Sequence, residues 1–356
     1  MPCYDVAVLP GDGIGPEVTR EAERAIIAAA TQFEFNVTLE HYPIGGTALD
    51  QLDIPFPDAT RDGCLAADAV FLGALGGPKW DHEVGERRCE SALLALRKTL
   101  GGFANLRPVI VPDSLVDSSP VQAERVIGTD LLIVRELTGG IYFGTPRSDS
   151  GYSAVNTMTY SQSEIQRIAR LAFGLAQKRN GKLTSVDKAN VLEVSQLWRR
   201  IVTEIHRSEF PDVELEHLYV DNAAIQLILQ PTQFDVILTS NLFGDILSDL
   251  AGTLPGTLGI LPSATMGGKV GLFEPIHGSA PDIVGRGFAN PGGALLSAVL
   301  LLESLGENEA ANCIRSAIMK TLEAGIRTRD LGGTASTTEF GDTVLNFAFE
   351  MAPVVV

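Results

Sequence analysis

The chain has 356 residues, 45% of them hydrophobic and 20% charged, enough to bury two domain cores or one large α/β core. Its 44 acidic residues against 27 basic ones give a net charge of −17. That field repels nucleic acid and anionic membrane surfaces, so neither is an expected partner. It also repels a small polyanion, so any anion site must gather arginines locally.

The four cysteines, Cys3, Cys64, Cys89 and Cys313, are scattered without a CxxC pair, a spacing expected of reduced thiols in the cytoplasm. The opening residues Met1–Asp5 contain no basic stretch leading into an apolar one, so no signal peptide is expected. The longest apolar run, about Ala294 to Leu302, is too short to cross a bilayer. A soluble protein is expected.

Strand-like and helix-like segments alternate along the chain. Asp5–Leu9 reads as a strand, and the glycines at 11, 13 and 15 follow it. Pro16 then stands where a first helical turn tolerates proline, opening a helix over Glu17–Ala30. Further strands are expected at Ala69–Leu72, Leu131–Val134, Leu183–Val186, His217–Val220 and Val236–Leu238. Ser161 and Glu164 have capping-box spacing for a helix reaching about Lys178. Asn222–Gln230 reads as a helix stopped by Pro231. This alternation predicts an α/β fold with a mostly parallel sheet flanked by helices. Breaks at Gly101–Gly102 and around Thr253–Gly259 suggest a first domain of residues 1–102 plus 255–356, with residues 103–254 inserted as a second.

The glycine-rich turn does not match a dinucleotide fingerprint, because G-x-G-x-x-G is absent and Pro16 occupies a variable position. Such a turn serves structure about as often as it serves a nucleotide. Glu90, Leu93, Leu94 and Arg97 share one helical face. That pattern fits a core stripe with charged ends, or a pocket holding a carboxylate on Arg97 and an aliphatic branch on the leucines. Arg107 and Arg135 are read as closing apolar elements. Together with Arg97 they make a carboxylate site plausible, since guanidinium forks suit bidentate anions.

Asp245 and Asp249 lie at i, i+4 in a segment whose apolar Ile246, Leu247 and Leu250 suggest burial, although such a pair often marks a solvated helix face. Asp221 is read as closing the strand Leu-Tyr-Val-Asp. Three carboxylates without histidine or cysteine suit Mg²⁺ or Mn²⁺ rather than zinc. Tyr142 and Lys188 are the remaining ionisable candidates, and each taken alone reads as structural or solvent-facing sooner than catalytic. Among the histidines only His277 sits in a distinctive loop, Glu-Pro-Ile-His-Gly-Ser-Ala-Pro-Asp.

Taken together, Leu9–Glu17, Leu72–Trp80, Leu93–Pro108, Val134–Gly144, Val186–Glu193, Tyr219–Leu227, Asn241–Gly252 and Leu272–Pro291 closely resemble the β-decarboxylating dehydrogenases, the family of isopropylmalate and isocitrate dehydrogenases. The match spans nearly the whole chain in order, and its long ungapped pieces, such as Arg135–Gly144, are highly specific. The resemblance implies the two-domain fold of that family, with a cofactor site that is not a Rossmann unit and lies in the first domain. It places the metal site and dimer interface in the second.

The resemblance also implies roles. Arg97, Arg107 and Arg135 would grip substrate carboxylates, and Asp221, Asp245 and Asp249 would hold Mg²⁺ or Mn²⁺, with Asp221 also near substrate. Lys188 would assist removal of the hydroxyl proton, and Tyr142 would protonate the enol after CO₂ leaves. Lys188 and Asp221 would come from the neighbouring subunit of a homodimer. Glu274, His277, Gly278, Ser279, Ala280, Asp282 and Asn290 would bind the cofactor. Asp282 would favour NAD over NADP, whose users carry lysine and tyrosine in place of residues like Asp282 and Ile283. Glu90, Leu93 and Leu94 would select a branched substrate, because isocitrate-type relatives use serine and asparagine there. The implied activity is oxidative decarboxylation of 3-isopropylmalate in leucine biosynthesis. D-malate or tartrate oxidation by the same chemistry, or a regulatory subunit without catalysis, are the alternatives.

Overall fold

The computed structural model describes residues 1–349. In chain order, the first passage runs β1 (Cys3–Gly11), α1 (Gly15–Gln32), β2 (Asn36–His41), α2 (Gly45–Leu52), α3 (Asp58–Ala66), β3 (Ala69–Ala74) and α4 (Cys89–Leu100). The second holds β4 (Ala104–Ile110), α5 (Ala123–Val126), β5 (Asp130–Glu136), β6 (Ser148–Asp149), β7 (Ala154–Val155), α6 (Gln162–Gln177), β8 (Lys182–Asp187), α7 (Glu193–Glu209), β9 (Glu214–Tyr219), α8 (Val220–Leu229), β10 (Val236–Thr239) and α9 (Asn241–Gly252). The third adds β11 (Pro262–Met266), β12 (Gly271–Pro275), α10 (Gly292–Ser304), α11 (Asn308–Glu323) and α12 (Thr337–Phe349). Two compact units result: Met1–Gly102 with the chain from Thr257 onward, and Phe103–Gly256.

In the first unit β2, β1, β3 and β12 pair in parallel and β11 joins β12 antiparallel. Ala7, Leu9, Val70, Leu72 and Leu272 from the strands pack with Ile44, Cys64, Ala92, Leu96 and Leu100. Near-continuous apolar strands of this kind are what a sheet covered on both faces requires. Pro16 stands in the first turn of α1, where its missing N–H costs no helical hydrogen bond.

In the second unit β5, β10, β8 and β9 are parallel, and β4 runs antiparallel to β5. Helices α6 and α7 bury Phe173 and Trp198 against Leu183, Val236 and Leu238. The Ser161 capping box forms as its spacing predicts: the Ser161 hydroxyl accepts from the Glu164 N–H, and the Glu164 carboxylate accepts from the Ser161 N–H.

Two expectations are corrected. The strand placed at His217–Val220 ends at Tyr219, and Val220 already begins α8, so Asp221 sits in the first turn of a helix rather than at a strand end. A carboxylate there complements the unpaired N–H groups of the helix start. The strands β2, β4, β11 and β12 are not among those expected: β2 is a short edge strand that half-buries only Val37 and Leu39, and β4 contains Arg107 and Pro108.

Candidate active site

The second unit gathers five of the candidate residues around the start of α9. Arg135 is the penultimate residue of β5, and Arg107 lies in the middle of β4 rather than closing it. Both guanidinium groups are buried, at 5% and 8% exposure, so each needs charged or polar partners to offset its lost hydration. Helix α9 and, for Arg107, the neighbouring Asn105 of β4 supply them. Arg107 donates from Nε to Asn105 Oδ1 (2.7 Å) and from Nη1 to Ser248 Oγ (2.8 Å) and Asp249 Oδ1 (2.9 Å). Arg135 pairs through Nη1 with Asp245, whose other oxygen accepts the Tyr142 hydroxyl at 2.8 Å. The close approach requires Gly244, where a Cβ would fall 2.6 Å from Arg135 Cγ.

Burial along α9 differs from the expectation. Leu247, Ser248 and Ala251 face the core, whereas Asp249 and Ile246 are exposed. The helix is amphipathic, and its acidic face meets the arginines. Burial, and then the hydrogen bond to Asp245, hold the Tyr142 hydroxyl above its ordinary pKa. It therefore keeps its proton through neutral pH.

Lys188 and Asp221 form a second cluster, joined by a Lys188 Nζ–Asp221 Oδ1 contact of 2.6 Å. Lys188 follows β8 directly. Beneath it Asp187 is buried and accepts two 2.8 Å bonds from Arg199, whose guanidinium lies over the Tyr219 ring. The Lys188 hydrogen bond is the main cause that lowers the Asp221 pKa. Among the described residues of one chain no three His, Cys, Asp or Glu side chains form a metal cage. Asp245 and Asp249, both beside Arg107, make one oxygen pair, and Asp221 belongs to the other cluster.

In the first unit α4 turns Cys89, Ala92, Leu96 and Leu100 to the core. The Glu90–Leu93–Leu94–Arg97 face lies beside that core stripe, and only Leu93 of it packs against the core. Glu90 and Leu94 are exposed and Leu93 is half-buried. Arg97 donates to Glu274 at 2.8 Å.

The same unit contains a cleft of about 350 Å³ lined by Ile14, His277, Ile283, Asn290, Arg329 and Asp330, among others. His277 Nε2 is buried with no hydrogen-bond partner, and burial lowers the ring's pKa. An unpaired ring nitrogen in a cleft of this size fits a heteroaromatic ligand such as a nucleotide base. Asn290 donates to Asp330 at 2.9 Å. Gly278 and Asp282 are exposed on the loop, Ser279 is buried, and Ala280 adopts a positive φ of 39°. The glycine-rich turn is explained here: Ile14 N–H donates to Ser279 O at 2.9 Å, and a Cβ on Gly13 would meet that oxygen at 2.1 Å. The turn is a seat for the His277–Asp282 loop.

Sequence reading did not single out Asn241, Asp330 or Arg329. Asn241 meets Arg135, Leu137 and Gly139 about a hundred residues away, and Asp330 meets Thr257 and Asn290, so no local pattern marks these contacts.

Parallel α/β units that carry a buried arginine–carboxylate cluster and a cleft of this size are the architecture of an α/β enzyme, and the chain belongs to the isocitrate/isopropylmalate dehydrogenase family, whose model matches residues 5–344. It is 59% identical over 354 residues to the 3-isopropylmalate dehydrogenase of Salinibacter ruber, covering 98% of this chain and 97% of that one. It is 51% identical over 345 residues to the 3-isopropylmalate dehydrogenase of Bacillus subtilis, covering 95% and 93%. Among solved structures, isocitrate dehydrogenase from Methylococcus capsulatus has a TM-score of 0.87 at 33% identity, covering 97% of this chain and 99% of that one. A β-decarboxylating dehydrogenase from Thermococcus kodakarensis has a TM-score of 0.83 at 38% identity, covering 98% and 96%.

Proposed function

We propose that this chain catalyses the NAD-linked oxidative decarboxylation of (2R,3S)-3-isopropylmalate to 4-methyl-2-oxopentanoate and CO₂, a step of leucine biosynthesis. The observation that carries the substrate choice is the face of α4, where exposed Leu94 and half-buried Leu93, which packs on the edge of the core, lie between Glu90 and Arg97. An aliphatic branch is matched there. A third carboxylate would lose hydration against leucine and meet the Glu90 charge. The similarity to relatives named 3-isopropylmalate dehydrogenase supports the same reading.

Arg97, Arg107 and Arg135 hold the substrate carboxylates. Two of them are already buried and oriented by Asn105, Ser248 and Asn241, so little ordering cost remains on binding. Lys188 accepts the C2 hydroxyl proton as hydride leaves C2. Tyr142, held neutral by burial and by Asp245, returns a proton to the enol carbon once CO₂ has left. The oxygen-only set Asp221, Asp245 and Asp249 suits Mg²⁺ or Mn²⁺, which when bound polarises the C2 oxygen and stabilises negative charge developing there.

The cofactor is NAD. His277 and Asn290 line the cleft that receives its adenosine part, with Glu274, Gly278, Ser279 and Ala280 around them. The Asp282 carboxylate accepts from ribose hydroxyls and repels a 2′-phosphate. The working unit is a homodimer in which Lys188 and Asp221 of one subunit complete the site of the other. Ile225, Leu229 and Ile246, 46–56% exposed on the packed pair α8 and α9, supply an apolar surface for it. The compartment is the cytoplasm, in keeping with four unpaired cysteines. No helix among the described residues is long and apolar enough to cross a membrane.

The test compares kcat/KM on 3-isopropylmalate, D-malate and tartrate, with NAD and with NADP, before and after EDTA. We expect 3-isopropylmalate with NAD to be preferred and EDTA to abolish turnover until Mg²⁺ or Mn²⁺ is restored. Equal or better efficiency on D-malate or tartrate would overturn the substrate choice. Preference for NADP would overturn the role of Asp282.

A further inference from the structure

Asn241, the first residue of α9, is 1% exposed and satisfies every hydrogen-bonding site of its amide. Oδ1 accepts from Arg135 Nε (3.1 Å) and Nη2 (2.9 Å). Nδ2 donates to the carbonyls of Leu137 and Gly139, both at 3.2 Å. Its backbone N–H donates to Tyr160 Oη at 2.9 Å. The amide's orientation is forced, because a guanidinium can only donate and a carbonyl can only accept.

The two sides of this amide lead to two parts of the proposed chemistry. One side fixes the Arg135 guanidinium. The other anchors the segment from the end of β5 into the short turn Gly140–Tyr142, only three residues before the Tyr142 hydroxyl. The circuit closes through Asp245, which takes Arg135 on one oxygen and Tyr142 on the other. Arg135 also lies 6.0 Å from the Tyr142 ring centroid. Chain connectivity alone does not impose this arrangement, since the turn contains Gly139 and Gly140. Tyr160 packs against both, where a Cβ on Gly139 would meet its ring at 2.6 Å and one on Gly140 its hydroxyl oxygen at 2.8 Å.

We propose that Asn241 is a positioning residue that sets the Arg135 guanidinium and the Tyr142 hydroxyl as one unit, so that the carboxylate anchor and the proton donor cannot move independently. The proposal rests on the reading that Arg135 binds substrate and Tyr142 delivers a proton. No aliphatic or acidic side chain of this size can replace the amide. Aspartate keeps an acceptor for Arg135 but sets a second acceptor against two carbonyl oxygens.

The test is Asn241→Asp in the parent and in a Tyr142→Phe background, with kcat and KM measured per folded dimer and folding followed by circular dichroism. Aspartate should lower kcat by about 100-fold, the scale of a misplaced reacting group. KM for 3-isopropylmalate should stay within about threefold, because Arg135 retains its acceptor. In Tyr142→Phe the same substitution should change kcat by less than about threefold, since groups acting as one unit do not add. A purely structural role predicts equal losses in both backgrounds and would overturn the proposal, as would unchanged kcat in the parent background. Failure of the underlying reading is seen separately, as full activity of Tyr142→Phe alone. Should Asn241→Asp not fold, Asn241→Ser carries no charge and runs the same cycle with the same two outcomes.

Discussion

Removing one oxygen atom from Tyr142 separates its chemistry from its contribution to stability. In Tyr142→Phe the ring remains and only the hydroxyl bond to Asp245, 2.8 Å long, is lost. The side chain is 37% exposed, so water replaces much of that bond and the stability cost is about 1 kcal/mol or less. For units of this size that corresponds to a Tm change of no more than about 4 °C. A general acid, by contrast, contributes about 10²–10⁴-fold in rate, or roughly 3–5 kcal/mol of barrier. The stability term is too small to account for such a loss, so the two readouts should diverge.

Purified Tyr142→Phe should therefore reduce NAD at least about 100-fold more slowly with saturating 3-isopropylmalate and metal, while melting within a few degrees of the parent. KM for 3-isopropylmalate should change little, because Arg135 keeps both Asp245 and Asn241. NADH absorbance and differential scanning calorimetry supply the two measurements. A variant that turns over within threefold of the parent, or one that loses activity only in proportion to its loss of fold, would refute the assignment.

Gly13→Ala tests the seat of the cofactor loop. It forces a left-handed residue at φ +60° and brings a Cβ within 2.1 Å of Ser279 O. The backbone alone costs about 1–2 kcal/mol, and NAD affinity measured by calorimetry should weaken more than substrate affinity; equal weakening of both would argue against the seat. Stability should also fall in acid through His217, whose pKa is lowered first by burial and then by the Arg199 charge. A depressed folded pKa means the neutral ring is favoured by folding. That contribution is complete above the ordinary histidine value of about 6.5 and is lost as pH falls through the folded one. Thermal melts of His217→Gln should accordingly show a shallower decline than the parent over that window, and parallel curves would refute it.

Much of this was accessible to reading along the chain. The alternation of short apolar runs with helical segments of period 3.6 determined the α/β class, because run length and periodicity are local properties. The Ser161–Glu164 capping box and the proline opening α1 are likewise written into consecutive residues. The residue types of the arginine–carboxylate cluster could be chosen from the sequence, since buried guanidinium groups and their acids leave charge inside otherwise apolar segments.

Tertiary structure decided what those local patterns leave open. Arg107 reads as a strand end because Pro108 follows it, yet β4 continues through both residues. Asp221 reads as closing a strand, whereas the chain has already turned into α8. The apolar residues around Asp245 suggest burial all round, and only packing shows that Ile246 and Asp249 face outward. Gly13 owes its necessity to Ser279, and Asn241 owes its role to Arg135, Leu137 and Gly139, all far away in the sequence. Periodicity fixes which face of an element is apolar. Which partner that face meets, and which single amide must both accept and donate, depends on contacts between distant segments that exist only once the chain has folded.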